Sequence, residues 1–151
     1  MSVSETIDLS HVFIYAKKMK KLYSVFSTQI RKNYDLKQID LEIIFYLDRH
    51  RDASLGEISR KMYLNKGQLS QAISALRSKG YIRTEKDEND QRYTYYRLTD
   101  RSEALLCEIK KLTEYSGKVL LEGVSEKQKE IYCAALKQIG ANIDKLEKEC
   151  K

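Results

Sequence analysis

The sequence predicts a mainly α-helical fold with one small β-hairpin, and three observations support this class. The chain of 151 residues contains no proline, so nothing forces a helix to end. Apolar residues recur every three or four positions through most of the chain, which is the spacing of one helix face. Residues 81–98 break this period and are rich in Tyr, Ile and Thr, which favour strands. The length is that of one ordinary domain.

Capping side chains mark where the predicted helices begin. Four residues with a side-chain acceptor each precede a Glu or Gln by three positions, close to the capping-box pattern, and these are Asp35, Ser54, Asn65 and Ser125. Helices are therefore expected from about 36, 55, 66 and 126, and another over 100–121 after Thr99. An apolar stripe predicts one long first helix over 7–32. Its members are Leu9, Val12, Phe13, Ala16, Met19, Tyr23, Phe26 and Ile30.

The middle of the chain combines a helix pair with a hairpin. The helix that follows Asn65 should end at Gly80, because glycine is favoured just past a helix C-terminus. Two strand-like segments follow at 81–86 and 91–98, and the polar residues between them predict a charged hairpin tip. A short helix, a tight turn, a second helix and a hairpin together form a winged helix-turn-helix.

Charge and composition narrow the possible partners. Residues 54–101 hold four of the six net positive charges, which indicates a polyanionic partner there.

The three cysteines lack the C-x-x-C spacing of a zinc ribbon, and no apolar run is long enough to cross a bilayer. No phosphate-binding loop, dinucleotide motif or nucleophile elbow is present. We therefore expect a cytoplasmic protein that is not an enzyme and needs neither a metal nor a cofactor.

The second helix of the pair has two unlike faces. At about 100° per residue, Leu69, Ala72, Ile73 and Leu76 share one stripe, which is predicted to be buried. The opposite side and its flanks carry no carboxylate, and their small or amide side chains are Gly67, Gln68, Ser70, Gln71, Ser74 and Ser78. Gln can bond adenine bidentately and Ser can bond base edges or phosphates, so this face suits a DNA groove. The remaining alternative is a short polar helix packed on a neighbour.

The hairpin offers a second contact. Arg92 follows Asp90 by two residues, so the carboxylate can accept a hydrogen bond from the guanidinium and hold it extended. An arginine held in this way suits the negative potential of a narrow minor groove. Because Asp87 and Glu88 lie nearby and would repel phosphates, an ordinary acidic turn is the competing interpretation.

Several short motifs bring these elements together. Residues 64–71 read L-N-K-G-Q-L-S-Q, residues 79–82 read K-G-Y-I, and D-Q-R at 90–92 is followed by L-T at 98–99. Together they resemble the signature of the MarR/SlyA family of bacterial transcription regulators, over about 36–99.

The chain departs from that signature at a few positions. The family often has Arg where Gln71 and Gln91 stand, a Ser or Pro in place of Gly67, and a glycine in place of Ser102. Base preference and affinity are therefore expected to differ from those of relatives. The peroxide-sensing branch of the family has a cysteine in its first helix, and this sequence has none before Cys107.

The resemblance implies a single MarR-type domain over 1–151, with a DNA-binding module at 36–99 and dimerisation helices at 1–35 and 100–151. The apolar stripes of the terminal helices also favour a symmetric partner, which predicts a homodimer on a pseudo-palindromic operator in double-stranded DNA. The candidate DNA-binding residues are Ser54, Lys66, Gln68, Ser70, Gln71, Ser74, Arg77, Asp90 and Arg92.

The resemblance also suggests a ligand crevice between the first helix and the winged module. Tyr15, Met19 and Tyr23 lie on nearly one face of that helix and are the candidate ligand-binding residues. Stripes of this kind more often serve the core or an interface.

The sequence thus predicts a DNA-binding transcriptional regulator. We expect it to repress as a homodimer and to be relieved by a small aromatic or phenolic effector. The alternative left open is a winged-helix protein–protein adaptor that does not bind DNA.

Overall fold

The computed structural model describes residues 10–150, which form seven α-helices and a three-stranded antiparallel sheet. Residues 7–9 of the predicted first helix, including Leu9, lie outside the described range. The elements in order are α1 Ser10–Phe26, α2 Thr28–Tyr34, α3 Gln38–Arg49, β1 Ala53–Ser54, α4 Leu55–Met62, α5 Lys66–Ser78, β2 Ile82–Lys86, β3 Thr94–Leu98, a 3₁₀ turn Asp100–Ser102, α6 Glu103–Leu120 and α7 Glu126–Glu149. The described residues up to Ser116 form one compact unit, and those from Gly117 form another.

The predicted single helix over 7–32 is wrong, because the described part of it is interrupted at Ser27. Three side chains donate to the carbonyl oxygen of Ser24: Ser27 Oγ at 3.2 Å, Thr28 Oγ1 at 3.2 Å and Arg31 Nη2 at 2.9 Å. They compete with the backbone N–H that would continue the helix, as Ser and Thr side chains commonly do. The chain therefore forms two helices, α1 and α2.

The cap predicted at Asp35 is also wrong. Asp35 instead ends α2 in the left-handed conformation, with φ of 51°. Helix α3 starts later, at Gln38, where the Asp40 carboxylate accepts the Lys37 N–H at 2.7 Å. The Asp40 carboxylate thus satisfies the backbone N–H of Lys37, the residue that precedes α3.

The core forms around α5, and its predicted buried stripe is confirmed. Leu69 and Leu76 are fully buried, and Ala72 and Ile73 nearly so. They belong to one apolar cluster with α3, α4 and α6, whose fully buried members are Leu41, Ile43, Ile44, Ile58, Leu105 and Ile109. Burial of this stripe orients α5 and leaves its other face outward.

The end of α5 follows the prediction. Gly80 has φ of 78°, a left-handed conformation that glycine adopts without strain. The N–H of Gly80 bonds the Arg77 carbonyl and that of Tyr81 bonds the Leu76 carbonyl, both at 2.9 Å, which is a Schellman motif. Tyr81 is buried, so the chain enters the sheet directly from this turn.

The sheet has one strand more than predicted. Its order is β1-β3-β2, and Ala53 and Ser54 pair with Tyr96 and Tyr95. Strand β3 begins at Thr94, which pairs with Lys86, rather than at the predicted residue 91. Seven residues, 87–93, therefore form the hairpin loop, and the short β1 joins the wing to the start of α4.

The predicted caps at Ser54 and Ser125 are confirmed, whereas Thr99 has another role. Ser125 Oγ accepts the Gln128 N–H at 3.3 Å at the start of α7. Thr99 Oγ1 donates to the Gly80 carbonyl at 2.5 Å instead of capping, and the 3₁₀ turn precedes α6. Thr99 thus fastens the end of β3 to the end of α5.

Both terminal regions present apolar side chains to solvent. No described residue of α1 or α7 is buried. The exposed apolar residues of α1 include Val12, Phe13, Ile14, Leu22 and Val25. Those of α7 include Ile131, Leu136, Ile139, Ile143 and Leu146. Among residues 10–150, no helix has the length and hydropathy needed to span a membrane.

Candidate DNA-binding surface

Helices α4 and α5 are joined by a turn with internal hydrogen bonds. Tyr63 takes the left-handed conformation after α4, with φ of 52°. The Leu64 N–H bonds the Ser59 carbonyl at 3.0 Å, and Ser59 Oγ donates to the Leu64 carbonyl at 2.8 Å. Asn65 Oδ1 then accepts the Gly67 N–H at 2.7 Å and caps α5. These bonds set the direction of α5 relative to α4.

The outward face of α5 contains most of the predicted DNA-binding residues. Those exposed on it are Lys66, Gln68, Ser70, Gln71, Ser74 and Arg77. No carboxylate occurs between Asn65 and Gly80, so nothing on this helix would repel a phosphate. The face has small or amide side chains at its centre and cations near both ends.

Ser54 does not lie on that face. It stands at the start of α4, where its Oγ accepts the Glu57 N–H at 3.3 Å and its own N–H bonds the Glu57 carboxylate at 2.8 Å. The backbone bond from Ser54 is the main cause of a lowered Glu57 pKa. The Ser54 hydroxyl is thus engaged in a capping box.

The predicted contact between Asp90 and Arg92 is present at the wing tip. Arg92 Nε donates to Asp90 Oδ1 at 3.0 Å and Nη2 donates to Oδ2 at 2.8 Å, which is a bidentate pair. These bonds lower the pKa of Asp90 and raise that of Arg92. The Arg92 side chain is nevertheless 88% exposed, so the pair orients the guanidinium while leaving it accessible.

Asp87 organises the wing loop, a role the sequence analysis missed. Its Oδ1 accepts the N–H groups of Asn89 and Asp90, each at 2.8 Å, and its Oδ2 accepts the Tyr95 hydroxyl at 2.9 Å. The backbone bonds are the main cause of the lowered pKa of Asp87. An Asp two or three residues before polar loop residues is a local signal for this kind of turn. Two of the three acidic side chains of the tip are therefore engaged within the loop.

Arg97 ties the wing to the rest of the chain and was also missed. Its Nη2 lies 2.6 Å from Asp52 Oδ1, and its Nε lies 2.9 Å from Glu85 Oε2. Asp52 precedes β1 and Glu85 lies on β2, so one guanidinium links three segments. Asp52 is far from Arg97 in sequence, and no local pattern could reveal the pair.

A cleft separates α5 from the wing. It is lined by Ser74, Arg77, Ser78, Ile82, Arg83 and Thr84. Two of these residues are cationic and three carry hydroxyl groups, so the cleft provides charge and hydrogen-bond donors between the helix and the hairpin.

The candidate ligand-binding residues differ in their surroundings. Tyr15 and Met19 are 59% and 49% exposed on α1. Tyr23 lines a cleft of about 460 Å³, and burial is the main cause of its raised pKa. Its other lining residues are Glu42, Phe45, Tyr46, Arg49, His50, Met62 and Thr113.

Comparison with known proteins agrees with this geometry. Residues 36–102 match the family model of a winged helix DNA-binding domain. The HTH-type transcriptional regulator BilQ of Clostridioides difficile (strain CD3) is 30% identical over 104 residues, which cover 69% of this chain and 68% of BilQ.

Solved structures share the fold. A MarR transcriptional regulator from Methanosarcina mazei Go1 matches with a TM-score of 0.78 and 19% identity, over 90% of this chain and 98% of that one. A MarR family regulator from Listeria monocytogenes, solved in complex with 26mer DNA, matches with a TM-score of 0.76 and 19% identity, over 91% and 89%.

The α4–α5 pair and its wing define the chain as a transcriptional regulator with a DNA-binding winged helix. More specifically, the chain belongs to the family of HTH-type transcriptional regulators that includes BilQ, and it has the fold of the solved MarR regulators.

Proposed function

We propose that the protein reads a specific DNA sequence with the outward face of α5 and the tip of the wing. The observation that carries this proposal is the exposed, carboxylate-free face of α5 beside a wing tip whose arginine is held outward by Asp90. Gln68, Ser70, Gln71 and Ser74 would meet base edges in the major groove.

Charged residues around that face would bind the DNA backbone. Lys66 and Arg77 would meet phosphates at the two ends of α5, and Arg92 would enter the minor groove. Ser54 would act through its cap on α4 rather than through DNA, and Asp90 through its hold on Arg92.

We infer that two copies act together as a homodimer. The apolar faces of α1 and α7 are each exposed in the single chain, and pairing with a second copy would remove them from water. A two-fold dimer would place two α5 helices on half-sites about 10 bp apart, which implies a pseudo-palindromic operator. A dimer bound to a promoter would block RNA polymerase, so we expect the protein to repress transcription. We expect it to act in the cytoplasm.

We infer that a small aromatic or phenolic effector would bind the cleft beside Tyr23. Phe45 and Tyr46 contribute aromatic rings to the cleft wall, and the Arg49 guanidinium, 4.2 Å from the centre of the Phe45 ring, offers a cation that suits a carboxylate or phenolate. The cleft lies between α1, α3, α4 and α6, so an effector could shift α4 and with it α5.

Titration of labelled duplex tests DNA binding directly. The duplex would be selected from a random pool, and its affinity measured by fluorescence anisotropy at increasing salt. For a DNA-binding regulator, a plot of log affinity against log salt concentration should be a falling straight line. Its slope reports the number of phosphates that the protein contacts. If the selection enriches no duplex, the alternative function, a protein–protein adaptor, is favoured. If the protein binds a scrambled duplex with equal affinity, the proposed sequence specificity is wrong.

A further inference from the structure

We propose that the cleft between α5 and β2 binds the sugar–phosphate backbone of one DNA strand, with Arg83 on β2 as a phosphate-binding residue. The inference rests on the proposed DNA-binding function. It adds a contact from the sheet itself, whereas the DNA contacts proposed above come from α5 and from the tip of the wing.

The position of the cleft follows from where α5 and the wing tip would lie on the DNA. In the proposed complex, α5 enters the major groove and Arg92 enters the adjacent minor groove. One sugar–phosphate strand forms the ridge between a major groove and the neighbouring minor groove. That strand has to pass between the helix and the hairpin, and the cleft is the space between them.

The helix wall of the cleft carries a cation and a hydroxyl group. Ser74 and Arg77 line it from α5, and both residues are exposed. Ser78 lines the same wall, but its Oγ donates to the Ser74 carbonyl at 3.0 Å within the helix. Arg77 therefore provides the charge on this side, and Ser74 provides the hydroxyl.

The strand wall carries a matching pair, Arg83 and Thr84. Both are exposed on β2, which is an edge strand of the sheet. The Arg83 side chain is 61% exposed, and its Nη1 lies 3.6 Å from Glu85 Oε2, beyond hydrogen-bond distance. The same oxygen is closer to Arg97 Nε, at 2.9 Å. The weaker contact leaves the donors of Arg83 available for a phosphate.

The two walls are held together before any DNA binds. Ile82 is buried and lies between them. The Schellman motif at Gly80 joins the end of α5 to the sheet, and Ser102 Oγ donates to the Tyr81 carbonyl at 2.7 Å. Because these contacts already fix the spacing of the walls, little backbone ordering is left to oppose binding.

The chemistry of the lining residues suits a polyanion. No acidic side chain is among the described residues that line this cleft, whereas the cleft beside Tyr23 includes Glu42. A guanidinium donates two parallel hydrogen bonds to a phosphate, and hydroxyl groups are common partners of DNA phosphates. An arginine on each wall fits a strand that carries a charge at every nucleotide.

Three substitutions on β2 separate charge from hydrogen bonding. We expect Arg83→Ala to weaken binding about tenfold on every duplex and to lower the salt slope by about one, because a phosphate contact reads no sequence. Arg83→Lys keeps the charge and should keep the slope. Thr84→Val removes only a hydroxyl and should weaken binding about threefold with an unchanged slope.

Two controls exclude effects of folding and of net charge. Arg83→Ala should keep the wild-type Tm, because an exposed ion pair contributes little to stability. Lys145→Ala removes an exposed cation from α7 and should change neither the affinity nor the slope.

Neutral methylphosphonate links, introduced one at a time in the duplex, locate the contact. A link in the strand between the α5 half-site and the minor groove entered by the wing should weaken the wild-type protein and have little further effect on Arg83→Ala. Inorganic phosphate at constant ionic strength tests for a free anion instead, and it should not raise the Tm. A rise in the wild type that is absent in Arg83→Ala would assign the cleft to a free anion and overturn the inference.

The inference and the proposed function fail in different ways. Wild-type affinity and salt slope in Arg83→Ala, alongside weakened binding by Arg92→Ala, would overturn the inference and leave the proposed function standing. If the wild-type protein binds no duplex, both are wrong.

Discussion

At the scale of single residues, the acidic side chains of the wing tip order the loop and orient its arginine. Asp87 bonds loop N–H groups and Asp90 holds the Arg92 guanidinium, so most of the local negative charge is used within the loop. The acidic side chains of the turn therefore order the loop and orient Arg92, and the substitution below tests whether this arginine binds DNA.

Replacement of Arg92 tests the wing. We expect Arg92→Ala to reduce affinity for the selected duplex about tenfold or more, because the variant loses the guanidinium that is proposed to enter the minor groove. Lys145→Ala removes one positive charge from an exposed position on α7 and should bind normally. Equal affinities for Arg92→Ala and wild type in an anisotropy titration would remove the wing from the interface.

Replacement of Gln71 tests base reading by α5. Gln71→Ala should cost about 1–3 kcal/mol on the preferred duplex and relax selectivity at one base pair. The measurement is a competition among duplexes that differ at single positions. Losses of equal size on every duplex would show that Gln71 contacts only the backbone.

At the scale of elements, local signals predicted α5 well. The buried stripe from Leu69 to Leu76 and the end at Gly80 depend on side-chain period and on one glycine, both of which are visible in sequence. The contact between Asp90 and Arg92 was equally local. These features could be predicted because each needs only neighbours within a few residues.

Features that depend on distant partners or on several groups competing for the same hydrogen bond could not be predicted. The break after α1 arises because three side chains converge on the Ser24 carbonyl. Asp35 fits the cap pattern in sequence, but in the folded chain it ends α2, and the Asp40 carboxylate bonds the Lys37 N–H at the start of α3. Strand β1 and the link from Arg97 to Asp52 join segments that lie far apart in sequence.

Helices α2 and α6 are linked by a hydrogen bond that should make stability depend on alkaline pH. Tyr34 donates to Glu108 Oε1 at 2.7 Å, and this bond is the main cause that raises the pKa of Tyr34 from 10.0 to about 12. The neutral phenol is the form that donates, so its contribution is complete below pH 10 and is lost as the pH rises towards 12.

Replacement of Tyr34 by Phe tests this link. We expect Tyr34→Phe to lower the free energy of unfolding by about 1 kcal/mol at pH 7. The difference from wild type should shrink between pH 10 and 12, as followed by urea titration at each pH. Tyr132→Phe, at an exposed position of α7, is the control. A difference that stays constant across this range would contradict the assignment.

At the scale of the whole molecule, the exposed apolar face of α7 supports the proposed homodimer. Ile139→Glu should place a charge in that face and shift the protein to monomer, as measured by light scattering after gel filtration. Lys137→Glu changes charge on the opposite side of the same helix and should remain dimeric. A dimeric Ile139→Glu variant would show that α7 does not mediate pairing.

Different residues of α5 form its buried face and its outward face. Leu69, Ala72, Ile73 and Leu76 support the fold, while Gln68, Ser70, Gln71 and Ser74 lie outward. Exchange of the outward set should therefore leave the architecture intact. Under the proposed function, substitution of these four outward residues would change the promoter that the protein recognises without changing its fold.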